Sequence, residues 1–398
     1  MKLSISKLKN GILLCFLTIM VFSLTLSYFD ATAVSPLAKE IVNIFYFLKK
    51  ALFVMCILIC ISEKRLNIYA VGLCVFFLAA WGITTFLFPA NNPHIEKVGI
   101  DLICAIVTFV AVSSGEIDLE KFTILLIVVS RILIIVCLIS LTTIDNLTYY
   151  ISRAYMVFSN AIMVPIGIII FSAIVNNKWV DYILGFGGLI ILLFLGSRGS
   201  FLALSLSAVL LLLIKSNNKK PLYGLILIPL LLIAGYMISN SDILGLETSR
   251  ILQKISSGSL FSANDRLGIW KYLLKCCSND AFLGHGLCAD RYYLPLQFTG
   301  ADSTYAHNLF IELLVDFGIL GMIISGALVN VLIKYFKIET DDRYKMIVIT
   351  FFFLSFFQLM YSRSYLTEPN LFVMFGVIFL RLKNYRSIFA TQQECSEV

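Results

Sequence analysis

The chain has 398 residues, of which 59% are hydrophobic and 14% charged, with a mean hydropathy of +0.92. Soluble domains sit nearer half apolar and a quarter charged, so these values exclude an ordinary globular protein and describe a polytopic membrane protein. The net charge of +7 does not mark a nucleic-acid binder, because most Lys and Arg sit in short connections between apolar runs and form no basic stripe.

In chain order, Lys2, Lys7 and Lys9 precede an apolar run at 11–29. A signal peptide has the same basic-then-apolar order. This run is long enough to cross a bilayer and no clean small-x-small cleavage site follows, so a retained first helix is expected. Further runs near the roughly 20 residues that a bilayer core requires lie at 41–62, 66–88, 98–114, 122–141, 156–175, 179–196, 199–214, 222–239, 307–333, 346–361 and 370–380. They predict an all-α polytopic fold of about twelve transmembrane helices.

Four regions follow: 1–178 with helices 1–6, 179–239 with helices 7–9, a polar stretch at 240–306, and 307–398 with helices 10–12 and a tail. Basic residues alternate strongly between the two sides. Lys64/Arg65, Lys178, Lys215/Lys219/Lys220, Lys334/Lys337/Arg343/Lys345 and Arg381/Lys383/Arg386 share a side with the N-terminus, while the other side carries only Lys39, Lys97, Arg153 and Arg363 in its short loops. The positive-inside rule then puts both termini in the cytoplasm and the 240–306 stretch outside.

That stretch reads as structured. Ser256–Ser259 is a loop, and Asp265–Lys275 shows Leu267, Trp270, Leu273 and Leu274 at helical spacing, with Asn264 or Asp265 as N-cap. Such an amphipathic helix, carrying Lys271 and Lys275, suits the headgroup boundary. Gly284-His285-Gly286 is a turn and Tyr292-Tyr293 an interfacial anchor. Cys288 pairs with Cys276 or Cys277 if the stretch is oxidised, leaving an odd thiol. The other seven of the 10 cysteines read as small hydrophobes. No Cys/His spacing or paired Asp suggests a metal, and no Walker loop suggests a nucleotide-driven pump. Lys49/Lys50, Asp101 and Arg131 within or near spans imply a polar cavity or pairing between helices.

Eight residues could carry chemistry. Arg198, within Gly196-Ser-Arg-Gly-Ser200, has the planar fork that suits phosphate oxygens; it also reads as an arginine snorkelling to a headgroup. Arg266 opens the amphipathic helix, with Arg250 upstream and Arg291 downstream. Outward arginines are what a diphosphate leaving group requires, although each also fits a solvated helix face. His307 sits where the chain re-enters the membrane, suited to general-base work or to a hydrogen-bonded anchor. Asn308, Glu312 and Asp316 share its helix face, and the two carboxylates need a partner.

Taken as an ordered set, Ser197-Arg198-Gly199, Arg266-x-x-x-Trp270, Phe282-Leu-Gly-His-Gly286, Ala306-His-Asn-Leu-Phe-x-Glu312 and Gly318-Ile-Leu-Gly321 resemble the bacterial O-antigen ligase and polymerase superfamily over roughly 180–335. The resemblance implies a metal-independent, inverting glycosyltransferase of the C-type membrane class, needing no cofactor. Its donor would be an undecaprenyl-diphosphate-linked oligosaccharide on the outer leaflet of the bacterial inner membrane. Arg198 and Arg266 would hold the diphosphate, with Arg250, Asn308 and Glu312 in support, and His307 would activate the acceptor hydroxyl. Other partners would be the glycan acceptor, membrane lipids, a flippase and a chain-length regulator; no nucleic acid is implied. Tyr361-Ser-Arg-Ser-Tyr-Leu366 looks like capsule or exopolysaccharide polymerases, which favours joining repeat units over ligation to lipid A core. A secondary transporter or flippase would instead place its ionisable residues near the midplane of related halves. A non-enzymatic assembly partner would tolerate substitution of the named residues.

Overall fold

The computed structural model describes residues 2–23, 25–26, 36–62, 68–114, 117–140, 155–194, 198–215, 266–279, 282–298 and 305–396, and no strand occurs among them. The apolar runs become helices α1 (Lys2–Val21), α2 (Pro36–Ser62), α3 (Ile68–Leu87), α4 (Asn92–Ser113), α5 (Leu119–Ser140), α6 (Tyr155–Asn176), α7 (Trp179–Phe194) and α8 (Arg198–Lys215). The polar stretch contributes α9 (Arg266–Asn279) and α10 (Ala289–Gln297). After it come α11 (Leu309–Phe317), α12 (Ile319–Ile338), α13 (Asp342–Phe351) and α14 (Pro369–Ser396). Pro36 and Pro369 open their helices, where a missing N–H costs nothing. The expected run at 222–239 and the N-cap at Asn264 or Asp265 lie outside the described residues.

Two expected spans are broken. The run at 307–333 divides into α11 and α12, because Gly318 turns to φ 60° between them. The run at 346–361 becomes α13, a π segment Phe352–Phe356 and the short turn Phe357–Leu359. Among the described residues, four helical stretches are long and apolar enough to cross a membrane: Ile68–Leu87, Leu119–Ile139, Phe158–Asn176 and Ile319–Ile338. The protein is therefore an all-helical membrane protein.

Burial separates these four. The Phe158–Asn176 window of α6 is 89% buried, while those of α3 and α12 are each 17% buried. So α6 is the central post, packed by α5, α7 and α8, and α3 and α12 turn their apolar side chains outward, where lipid suits them. The charged residues within the bundle are paired. Lys49 Nζ lies 3.0 Å from Asp101 Oδ1 between α2 and α4. Arg131 donates from Nε and Nη2 to both oxygens of Asp181 at 2.8 Å, and Ser172 adds a third bond at 2.6 Å. Of the two sequence readings, pairing between helices holds for Lys49, Asp101 and Arg131.

A second, smaller core lies under the polar stretch: Ile269, Leu273 and Cys277 of α9 with Leu294 of α10, Ala306 and Val315 of α11. Here α9 departs from its expected apolar face. Ile269 and Leu273 are buried, whereas Leu267 and Leu274 point outward beside Lys271 and Lys275. Cys276, Cys277 and Cys288 are free thiols, so the expected bridge is absent. The Tyr293 hydroxyl lies 3.1 Å from His285 Nδ1.

The Gly284–Leu287 turn clips this small core to the bundle. His285 N–H and Gly286 N–H donate to the carbonyls of Val315 and Asp316 at 2.9 and 3.0 Å. On its other side Leu287 N–H donates to Thr84 Oγ1 and Asn91 Nδ2 donates to the His285 carbonyl, both at 2.9 Å. Gly284 sits at φ +70°, and a Cβ there would lie 2.5 Å from the Gly318 nitrogen. Gly284→Ala should therefore destabilise the protein by more than the ~1–2 kcal/mol of the left-handed backbone alone, seen as a lowered melting temperature in detergent. Gly72→Ala, where a Cβ would meet open space, should leave melting unchanged; equal behaviour of the two variants would contradict the clip.

Candidate functional site

His307 lies in the short segment between the small core and α11, and its neighbours on both sides are fixed. The Ala306 peptide is bonded at both ends: its N–H donates to Asp290 Oδ2 at 2.7 Å, and its carbonyl accepts from Trp270 Nε1 at 2.9 Å. Trp270 stands one turn after Arg266 on α9, so this bond links the Arg266 helix to the His307 backbone. Asn308 caps α11, its Oδ1 accepting from the N–H groups of Phe310 and Ile311 at 3.0 and 3.2 Å. Between them His307 is buried, takes φ +54° and packs its ring 4.1 Å from that of Tyr305. A histidine in the left-handed region is uncommon and is kept there only by over-determined surroundings.

The third wall is the segment 361–367, between α13 and α14. Asn308 Nδ2 donates to the Met360 carbonyl at 3.3 Å, and Tyr305 Oη accepts from Arg363 N–H at 3.2 Å. Arg363 is buried, also at positive φ (63°), and binds Glu368 Oε2 at 2.6 Å and the Asn160 carbonyl of α6 at 2.8 Å. Ser364 donates to Glu312 Oε1 and accepts from Arg291 Nη2, while Tyr365 Oη donates to Asp316 Oδ2 at 2.8 Å. Glu312 and Asp316 thus have the partners their position demands. Asp316 also accepts from Ala289 N–H at 3.2 Å.

Arg198 begins α8 just before Gly199, whose Cα faces the Tyr361 ring so closely that a Cβ would come within 2.2 Å of it. Ser200 Oγ donates to Asn160 Oδ1 at 3.2 Å, holding the start of α8 against α6. Arg266 is half-buried, and its charge, with that of Arg363, acts on the Tyr361 phenol. The start of α8 and the His307 segment therefore meet at Met360–Tyr361, and Trp270 ties α9 to that segment. The Arg198 side chain and all of Arg250 lie outside the described residues.

Sequence reasoning left Arg291 between a diphosphate contact and a solvated helix face; it is bonded to Ser364 beside Asp290, Glu312 and Asp316. Asn160, Glu368 and Asp290 were not singled out. Asn160 and Glu368 are lone polar residues bordering apolar runs, which is a weak signal. Among the described residues no group of carboxylates, His or Cys has the arrangement to hold a metal ion; Asp290, Glu312 and Asp316 accept from N–H and O–H groups instead.

Residues 183–325, a little over a third of the chain, match the family described as O-antigen ligase. That segment is thus similar to the O-antigen ligase/polymerase superfamily, whose members are glycosyltransferase-like enzymes acting on lipid-linked oligosaccharides. No curated protein matches the chain, and no solved structure does.

Burial raises the Asp290 carboxyl above the usual carboxylate range, against the pull of the Arg291 guanidinium and of the N–H bonds from Ala306 and Arg291. A carboxyl that binds its proton more tightly folded than unfolded stabilises the fold below the unfolded pKa of about 3.9 and loses that contribution as pH rises through the higher folded value. Asp290→Asn should therefore flatten the fall in melting temperature as pH rises above about 4. A slope equal to that of the unsubstituted protein would mean the carboxylate is already ionised in the fold at low pH.

Proposed function

We propose that this protein is a polysaccharide polymerase of the bacterial inner (plasma) membrane, acting on O-antigen, capsule or exopolysaccharide repeat units. It transfers a glycan from an undecaprenyl-diphosphate-linked oligosaccharide to the next lipid-linked unit at the outer leaflet. The observation that carries this reading is the meeting of the α8 start and the His307 segment at Met360–Tyr361, with α9 tied to that segment by Trp270, in a chain with a segment similar to the superfamily. The arrangement of 240–306 outside the membrane and both termini in the cytoplasm follows from the basic-residue bias.

In the reaction His307 takes the proton of the acceptor hydroxyl. The acceptor oxygen attacks the anomeric carbon from the side opposite the diphosphate and forms the new glycosidic bond, with inversion. The bond from that carbon to the diphosphate oxygen breaks, and its electron pair leaves with undecaprenyl diphosphate. Arg198 and Arg266 neutralise that departing charge, in place of a metal and without a cofactor. Fixed cations aimed at charge as it develops are commonly the largest single contribution to such a step. Arg250, Asn308 and Glu312 support the site, Asn308 and Glu312 by joining α11 to the 361–367 segment. A flippase would supply the donor, and a chain-length regulator would act on the product.

The family's description favours a second reading, transfer of the glycan to lipid A core. Purified protein with a defined undecaprenyl-diphosphate oligosaccharide, alone and with lipid A core, separates the two. A ladder from donor alone is expected for a polymerase; product only with lipid A core means a ligase. Arg198→Ala, Arg266→Ala and His307→Ala should each insert normally and lose long chains by roughly a hundredfold or more. Full-length chains from all three would discard the site.

A further inference from the structure

We propose that Tyr361 is a further donor-binding residue, its hydroxyl giving a hydrogen bond to a phosphate oxygen of the lipid-linked diphosphate; this rests on the reading of the site above. The Tyr361 hydroxyl is buried and has no hydrogen-bond partner among the described residues. Native proteins rarely leave such a group unpaired, and the exceptions call for a ligand, a water or a functional reason. Its surroundings select an anion. The charges of Arg363 and Arg266 act on the phenol, and Arg363 Nε is a second buried donor without an acceptor among the described residues. The carboxylate nearest in sequence, Glu368, is already bonded to Arg363 Nη1.

The ring is also placed rather than incidental. Gly199, directly after Arg198, admits it at a distance no side chain would allow. The backbone is held on either side of Tyr361 by the residues that flank His307: Asn308 bonds the Met360 carbonyl, and Tyr305 accepts from Arg363 N–H. Tyr361 therefore sits where the start of α8 and the His307 segment meet. A buried hydroxyl donor held two residues before the Arg363 guanidinium suits a phosphate oxygen, which accepts from neutral and charged donors together.

The test is Tyr361→Phe, which removes only the hydroxyl, with binding of undecaprenyl diphosphate to the full chain in nanodiscs and melting temperature read together. The expected result is an affinity roughly ten- to a hundredfold weaker, as for a lost hydrogen bond to a charged group, with melting unchanged or higher because an orphan donor is gone. Unchanged affinity overturns the assignment. A fall in both affinity and melting also overturns it, since the hydroxyl would then be structural. Arg266→Ala serves as the control: weaker binding there with full binding by Tyr361→Phe sinks the Tyr361 role and leaves the site standing. No binding of undecaprenyl diphosphate by the unsubstituted protein would end both.

Discussion

A carboxylate enclosed by apolar helices has no water to solvate it, so its hydrogen bonds must come from the chain itself. Glu312 meets that demand through Ser364 and the Tyr365 N–H, and Asp316 through Tyr365 Oη and the Ala289 N–H. The consequence is geometric. One face of α11 becomes the post to which both α10 and the 361–367 segment are tied, and the same helix begins one residue after His307 is released by its Asn308 cap. Losing either carboxylate would leave its donors buried and unpaired, which costs more than the bond itself is worth. The position of the imidazole is thus inherited from polar pairing a turn or two further along the helix.

The same logic explains why strain gathers here. Among the described residues four non-glycine positions take positive φ, and His307 and Arg363 are two of them, joined through Tyr305. Conformations of this kind persist where neighbouring bonds over-determine them. Around His307 those bonds are the two to Ala306 and the Asn308 cap; around Arg363 they are Glu368, the Asn160 carbonyl and Tyr305. In the proposed reaction, an imidazole held in advance would avoid reorganisation when charge develops, which is how preorganised polar sites accelerate group transfer.

Much of the helical framework was legible in the chain, because apolar runs of bilayer length have few other uses: Tyr155–Asn176 and Arg198–Lys215 fall within a residue or so of the runs at 156–175 and 199–214. The break at Gly318 was not legible from hydropathy, which runs unbroken through 307–333. It depends instead on Gly284 packing against the Gly318 nitrogen from far along the chain. Periodicity placed Leu273 and Trp270 of α9 on the packed face but also put Leu267 and Leu274 there and left out Ile269, because only the partners on α10 and α11 decide which apolar residues are buried. His307 could be picked out as a rare polar residue at the edge of a span, and Arg266 and Trp270 from the helical spacing of the polar stretch. The place of Arg291 stayed open, since an arginine beside Tyr292 and Tyr293 gives no sign in sequence of three buried carboxylates across the fold.

The segment that matches the superfamily, 183–325, supplies Arg198, Arg266 and His307, but only part of what holds them. Asn160 lies before it, and Met360, Tyr361, Arg363, Ser364, Tyr365 and Glu368 lie after it; these residues bond or pack against the start of α8, Asn308, Glu312 and Asp316. Thr84 and Asn91, from the N-terminal bundle, grip the Gly284–Leu287 turn that carries the small core. A segment cut at the domain's ends would therefore expose buried carboxylates and release the backbone that fixes the imidazole. The site is a property of the whole helical assembly, and variation in the 361–367 segment can reshape it without touching any residue of the matched domain.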